Sequence, residues 1–267
     1  MSKSIAIIFL CNKLHEETYT FGQKIKQETG VNVYWVCDNP DTGDMKDEGI
    51  ITIEDDVCIQ SGYHNCMITE GLTLTLIKKN PISYDKMLYH FCRNKPHDFY
   101  AVFEDDVFIP SVEAVVNFIN TYHEYDLVTP NNFLKDDDLM DWHWRSVIDR
   151  IQPPYYYSMV SAFGCSQKMF DVIENYVNEH KTCFFTEVMF NTLAMQNQLD
   201  VIDALELKSV VWMGKWELDE YLLLPNSFFH PKKELDKFEE YRELIDSKKG
   251  TKYKPKNTLP DFIRQLM

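Results

Sequence analysis

Residues 99–110 read FYAVFEDDVFIP. An apolar run of strand length, Phe99–Phe103, ends on three consecutive carboxylates. In an extended segment successive side chains point to opposite faces, so Glu104 and Asp106 share one face and Asp105 takes the other. The residues upstream suit a helix, Ser83–Arg93 (SYDKMLYHFCR), with Met87, Leu88, Phe91 and Cys92 on one side; a polar turn, Asn94–Asp98, joins it to the strand. A strand fed by a helix is the unit of an α/β fold. In open α/β sheets ligands collect at the carboxyl ends of the strands. Carboxylates one or two apart at such an end can hold a hard divalent cation, directly or through water. The competing reading is structural: the acids end the strand and favour the start of a helix near Pro110.

The tetrapeptide EDDV also occurs at residues 54–57. A duplicated module would match beyond four residues, yet DMKDEGIITI precedes the first copy and NKPHDFYAVF the second. Downstream, CIQSGYHN does not resemble FIPSVEAV. Duplication is therefore rejected. Glu54–Asp56 follows a short edge-like strand and reads as a strand end capping the Ser61–Lys79 region, with nothing obvious to complete a metal shell.

Working outward, Ser4–Cys11, Asn32–Cys37 and Gly49–Ile53 read as strands, and Glu16–Thr29 as a helix closed by Gly30. Further strands are expected at Asp126–Thr129 and Tyr155–Cys165, and helices at Gln167–Glu179 and Glu187–Gln196. Asn131–Ile151 is polar and aromatic, a long loop or short helices. Strands alternating with helices predict an α/β protein with a mainly parallel central sheet flanked by helices and a smaller second region. The expected division is one domain over residues 1–232, with halves 1–110 and 111–232, and a charged tail over 233–267 read as a solvated helix lying across it.

Composition narrows the function. The 267 residues are 45% hydrophobic, enough for a sizeable core, and the net charge is −15. Such a surface repels polyanions, which argues against nucleic acid and anionic membranes as partners. An anionic small ligand remains compatible if a cation bridges it. The N-terminal apolar run IAIIFL is too short for a signal peptide or a membrane span, so a soluble, cytoplasmic protein is expected. The seven scattered Cys have no CxxC spacing and read as reduced, mostly buried thiols.

The stretch FYAVFEDDVFIPS resembles the strand and acidic motif of nucleotide-sugar glycosyltransferases with the A-type (GT-A) fold. The resemblance extends in element order over about residues 4–232 and is specific only around 99–110 and a few later positions. It implies a D-x-D-like motif, Glu104, Asp105 and Asp106, holding Mn²⁺ or Mg²⁺ on the diphosphate of a donor. It also implies a late His as a further ligand, matched by His230 in FFHPKK, and a neighbouring Lys on the phosphates, matched by Lys232. Asp38, ending VCDN, would bind ribose or base, or close an Asx turn before Pro40. Lys86 would lie against a phosphate or in solvent.

Glu187 opens a helix after Phe184 and Phe185, where the helix dipole alone accommodates an acid. Apolar neighbours would also raise its pKa and suit it to accept a proton. In inverting members of the family an acid at a comparable place deprotonates the acceptor, which makes Glu187 the candidate base, ahead of Asp203 and Glu217. Trp142 and Trp144, in DDDLMDWHWRS, are expected in a loop over the acceptor cleft, while Trp212 and Trp216 read as half-buried. The expected activity is metal-dependent hexosyl or pentosyl transfer from a nucleoside-diphosphate sugar, foremost a UDP-sugar, to a glycan or glycoconjugate hydroxyl. The alternatives are a metal-dependent phosphohydrolase or nucleotidyltransferase, and a non-catalytic carbohydrate- or Ca²⁺-binding module.

Overall fold

A computed structural model describes residues 3–67, 81–135 and 145–248. In chain order the elements begin with β1 (Ile5–Cys11), α1 (Glu16–Thr29), β2 (Asn32–Cys37), β3 (Ile50–Thr52), α2 (Asp55–Gln60), α3 (Ser83–Asn94), β4 (Phe99–Glu104) and α4 (Val112–Tyr122). There follow β5 (Leu127–Thr129), β6 (Phe133–Leu134), α5 (Arg145–Ile148), β7 (Tyr156–Tyr157), β8 (Ala162–Ser166), α6 (Gln167–His180), α7 (Thr186–Gln196), β9 (Val201–Asp203), α8 (Leu218–Leu223) and α9 (Phe238–Lys248).

Seven strands form the central sheet in the order β3-β2-β1-β4-β8-β5-β9. All neighbouring pairs are parallel except those made by β8, which runs antiparallel to both β4 and β5. The expected mainly parallel sheet flanked by helices is thus observed. Its central strands are apolar on both faces because both faces are covered. On β1, Ala6, Ile8 and Leu10 enter one core with α3, α6 and α7; Ile7, Phe9 and Cys11 enter the other with α1 and α4. On β4, Tyr100 and Val102 join the first core, and Phe99, Ala101 and Phe103 the second. Truncating a fully buried ring such as Phe103 to Ala is expected to cost about 3–5 kcal/mol.

Several expected boundaries hold closely. Gly30 closes α1 in the left-handed region, at φ 71°, with its N–H on the Lys26 carbonyl. The expected strand Tyr155–Cys165 is instead two elements. Tyr156–Tyr157 pairs with Phe133–Leu134 in a separate ribbon, while Ala162–Ser166 enters the central sheet. The chain changes sheets between them, where the Ser158 N–H bonds the Glu187 carbonyl and the Ser161 carbonyl accepts from the Glu104 N–H. Asp55 and Asp56 sit in the first turn of α2, so the first EDDV opens that helix; residues 68–79 of the segment it was expected to cap lie outside the described residues.

The described part of the charged tail, up to residue 248, is solvated on one side only. Phe238, Arg242 and Ile245 of α9 are buried, the first and last in a third core with Phe108, Trp216, Tyr221 and Phe229. The Arg242 guanidinium lies 3.6 Å from the centre of the Phe21 ring, donates to the Ile109 carbonyl and pairs with Glu17. A cation that is taken out of water needs such a partner set. Among the described residues no helix is long and apolar enough to cross a membrane.

Candidate active site

β4 delivers the acidic triplet to the carboxyl edge of the sheet with its alternation intact. Glu104 continues the face of Tyr100 and Val102, and Asp105 that of Ala101 and Phe103. The turn after Glu104 returns Asp106 to the Glu104 side. His230 arrives on a distant segment that zips onto this turn. Phe108 and Phe229 exchange backbone hydrogen bonds at 2.9 and 3.1 Å, and the Lys232 N–H donates to the Asp106 carbonyl at 2.8 Å. His230 Nε2 then lies 3.3 Å from Asp106 Oδ1 and 3.5 Å from Glu104 Oε2. One ligand atom from each of the three residues falls within 4.8 Å of the others.

The far side of the imidazole is also specified. His230 Nδ1 lies 2.8 Å from the Val211 carbonyl. A carbonyl only accepts, so Nδ1 carries the proton and the neutral ring turns its Nε2 lone pair toward the two carboxylates. Tyr84, buried on α3, donates its single hydroxyl proton between Glu104 Oε1 at 3.0 Å and the Val160 carbonyl at 2.8 Å. Two carboxylate oxygens and one oriented imidazole nitrogen, with outer partners in place, are a donor set suited to Mn²⁺, and to Mg²⁺ less well because of the nitrogen.

Without a metal the cluster is held together by protons and a lysine. Burial opposes charge on His230, but its contacts with Asp106 and Glu104 win and raise its pKa to about 9. Burial alone would raise Asp106, yet His230 and Lys233 hold it below the usual carboxylate range. Asp105 stands outside the group: burial, then the charges of Asp106 and Glu104, push it to about 7. It faces the Cys11 and Cys37 side of the sheet, so the triplet contributes two members to the cluster, as its alternation requires.

Glu104, Asp106 and His230 line a cavity of about 300 Å³ whose wall also includes Tyr84, Met67, Met159, Ser161, Thr186, Trp212 and Lys233. Glu187 lines it as well, in the first turn of α7. Its helix start is held where the Thr186 N–H donates to the Cys66 carbonyl at 3.0 Å. Burial, then the charge of Glu104, raises the Glu187 pKa to about 8. A carboxyl so placed exchanges a proton near neutral pH.

A second cavity, of about 610 Å³, opens at the ends of β1, β2 and β3. Asn12, Asp38, Asn39 and Lys86 line it together with Glu54, Asp55 and Asp56, the first EDDV. Lys86 is buried, donating to the Asp38 carbonyl at 2.9 Å and pairing with Asp55 at 3.0 Å. The Asx turn before residue 41 belongs to Asn39, whose side chain accepts from the Asp41 N–H; Asp38 is left facing the cavity.

Lys232 does not reach either cavity. Its ammonium pairs with Glu234 at 2.7 Å and lies 5.0 Å from the Tyr241 ring centre. The neighbouring Lys233 lines the first cavity and pairs with Asp106. Asp203 pairs with Lys208 at 3.4 Å and Glu217 caps α8, both away from the cavities. Trp216 is buried, but Trp212 is 59% exposed and lines the first cavity. Trp142 and Trp144 lie outside the described residues.

A second trio, Cys66, Asp85 and Cys183, is also close enough to share an ion. Both Asp85 oxygens are already taken there, by the N–H groups of Cys66 at 3.1 Å and Ile82 at 2.9 Å, and burial pushes the Cys66 thiol well up. That trio caps α3 and holds the loop before α7. All seven cysteines are buried as free thiols.

No protein-family model matches the chain, and no curated protein matches it. Among solved structures the chain is similar to a glycosyltransferase involved in the glycosylation of the major capsid of PBCV-1. The identity is 10% and the TM-score 0.39, over 90% of this chain and 98% of that one. At that level the functional assignment falls to the site's own chemistry.

Proposed function

We propose that the protein is a metal-dependent glycosyltransferase that moves a sugar from a nucleoside-diphosphate donor, foremost a UDP-sugar, to an acceptor hydroxyl. One observation carries the reading: two carboxylates, an oriented imidazole and a proton-accepting Glu187 converge on a single cavity at the sheet's carboxyl edge. The larger cavity, with Asp38 and Lys86, has the volume and polarity for a nucleotide.

Glu104, Asp106 and His230 would hold Mn²⁺ or Mg²⁺. That ion would supply positive charge against the diphosphate as it departs. Lys233, on the rim of the same cavity, is placed to add its ammonium to that role in place of Lys232. Glu187 accepts the acceptor's hydroxyl proton as the new C–O bond forms at the anomeric carbon and the bond to the phosphate oxygen breaks. Attack from the side opposite the leaving group inverts the anomeric centre. Glu187 must be anionic to act, so activity is expected to fall as pH drops through its apparent pKa.

The reading is tested by incubating the protein with Mn²⁺ and a panel of nucleotide sugars, scored by nucleotide release and by thermal shift. UDP or GDP is expected to raise Tm only when divalent cation is present, and Glu187→Gln to abolish turnover while keeping that shift. Release of inorganic phosphate without sugar transfer would move the assignment to a phosphohydrolase. Full retention of function in Glu187→Gln would leave only a binding module.

A further inference from the structure

Trp212 is an expensive residue to leave in water, and its position explains why it is there. Large apolar side chains on a surface are informative when they border a site. Trp212 is 59% exposed and forms part of the wall that holds Glu187. It is not on a loose loop tip. The preceding residue, Val211, is bonded to His230 twice: its carbonyl accepts from Nδ1 at 2.8 Å and its N–H donates to the His230 carbonyl at 3.3 Å. Trp216, four residues on, donates its indole N–H to that same carbonyl at 2.9 Å. The backbone that orients the imidazole therefore also sets where the Trp212 indole stands.

The cavity is two-sided. One part of its lining is polar, with Glu104, Asp106, His230 and Glu187. Its exposed rim sets the apolar Trp212 and the half-exposed Met67 beside the Lys233 side chain. A pyranose ring has the same division, a C–H face and an edge of hydroxyls. An indole offers a flat, rigid surface for such a face at small conformational cost. A bare serine or threonine hydroxyl has no face to stack.

We propose that Trp212 is the acceptor platform, and that the acceptor presents a pyranose whose C–H face stacks on the indole while one hydroxyl points to Glu187. This rests on the glycosyltransferase reading and adds the chemical class of the acceptor.

The test uses the full chain with Mg²⁺ and either UDP or GDP, and saturation-transfer NMR with four probes: the methyl pyranosides of glucose, galactose and mannose, and a blocked serine tripeptide. At least one pyranoside is expected to receive saturation on the protons of one ring face. Trp212→Ala is expected to weaken that binding about tenfold and Trp212→Phe to restore most of it, since the loss is of ring-face contact. If Trp212→Ala does not fold, Trp212→Leu replaces it, keeping apolar volume without a ring face. Pyranoside binding that is the same in the variant, or binding of the tripeptide with no pyranoside, overturns the proposal while the divalent-dependent nucleotide shift stands. Absence of that shift in the wild type overturns the glycosyltransferase reading, and this proposal with it.

Discussion

The two copies of EDDV stand at the carboxyl ends of strands β3 and β4 in one sheet, yet their carboxylates meet different fates. In the first copy the chain turns at once into α2, and Asp55 is answered by the buried ammonium of Lys86. In the second, the chain makes a turn that pairs with the segment around Phe229, and that pairing brings His230 against Glu104 and Asp106. Identical tetrapeptides thus line two cavities with different partners: in one Lys86 pairs with Asp55, in the other a protonated imidazole and a surface lysine meet Asp106. The lesson is that an acidic motif becomes a candidate cation site through what arrives opposite it, not through its own letters. The first copy is still part of a cavity wall, a role that its local context did not suggest.

The sharpest way to break this contrast is to neutralise one acid in each copy. Asp106→Asn is expected to abolish the divalent-dependent thermal shift and lower turnover by about 10²–10³-fold, the usual scale for losing one group that stabilises developing charge. Asp56→Asn is expected to keep the shift. The reverse result, read by differential scanning fluorimetry with and without Mn²⁺, would exchange the roles of the two copies.

A smaller effect tests the outer support of the second copy. Tyr84→Phe removes the hydroxyl that holds Glu104 Oε1. Titration calorimetry is expected to give Mn²⁺ affinity about 10–100-fold weaker, the range for losing a partner behind a ligand. Unchanged affinity would mean that Glu104 is not a ligand. On the other side, Lys86→Met removes the cation of the second cavity. It is expected to weaken nucleotide binding about tenfold, as one charge-assisted contact is lost, with Mn²⁺ binding in the absence of nucleotide left intact.

The smallest effect is on stability against pH. Glu187 is pushed from 4.5 to about 8, Asp105 from 3.8 to about 7 and Asp85 from 3.8 to about 6, each by burial first. Folded, these groups hold protons that the unfolded chain has released, so stability falls as pH rises through that window. His230 is raised from 6.5 to about 9; its contribution is complete below 6.5 and lost as pH passes 9. All four act in one direction, and Tm of the cation-free protein is expected to drop by several degrees between about pH 5 and pH 9. Mn²⁺ should flatten the slope, because a cation replaces the protons on the second copy. An unchanged slope with Mn²⁺ would count against the cluster as its binding place.

Much of this was legible without coordinates, for reasons that differ from element to element. The apolar runs of β1, β2 and β4 are unambiguous because both faces of a parallel sheet are buried, and Gly30 marks a helix end because a left-handed residue is needed there. Strand alternation set Glu104 and Asp106 on one face and Asp105 on the other, and the turn after Glu104 keeps that division, so Asp105, implied as a third ligand, stands apart from the cluster. Glu187 stood out as an acid among aromatic residues at a helix start. Lys233 did not, since the HPKK segment is neither helix nor strand and no period says which lysine borders the cavity. Tyr155–Cys165 looked like one strand because its residues suit extended structure throughout; the change of sheet at Ser158–Ser161 is set by partners from α7 and β4.

The sequence by itself determined most strands and helices, the facing of the acidic triplet and an acid, Glu187, at a helix start among aromatic residues, all of them consequences of local periodicity and local chemistry. Tertiary structure alone decided how His230, expected only through the resemblance, meets Glu104 and Asp106, that Val211 fixes its tautomer, that Trp212 stands on the cavity wall, and that the first EDDV borders a second cavity. Those are contacts between segments far apart in the chain, and nothing in the pattern of a segment records which distant backbone will pair with it.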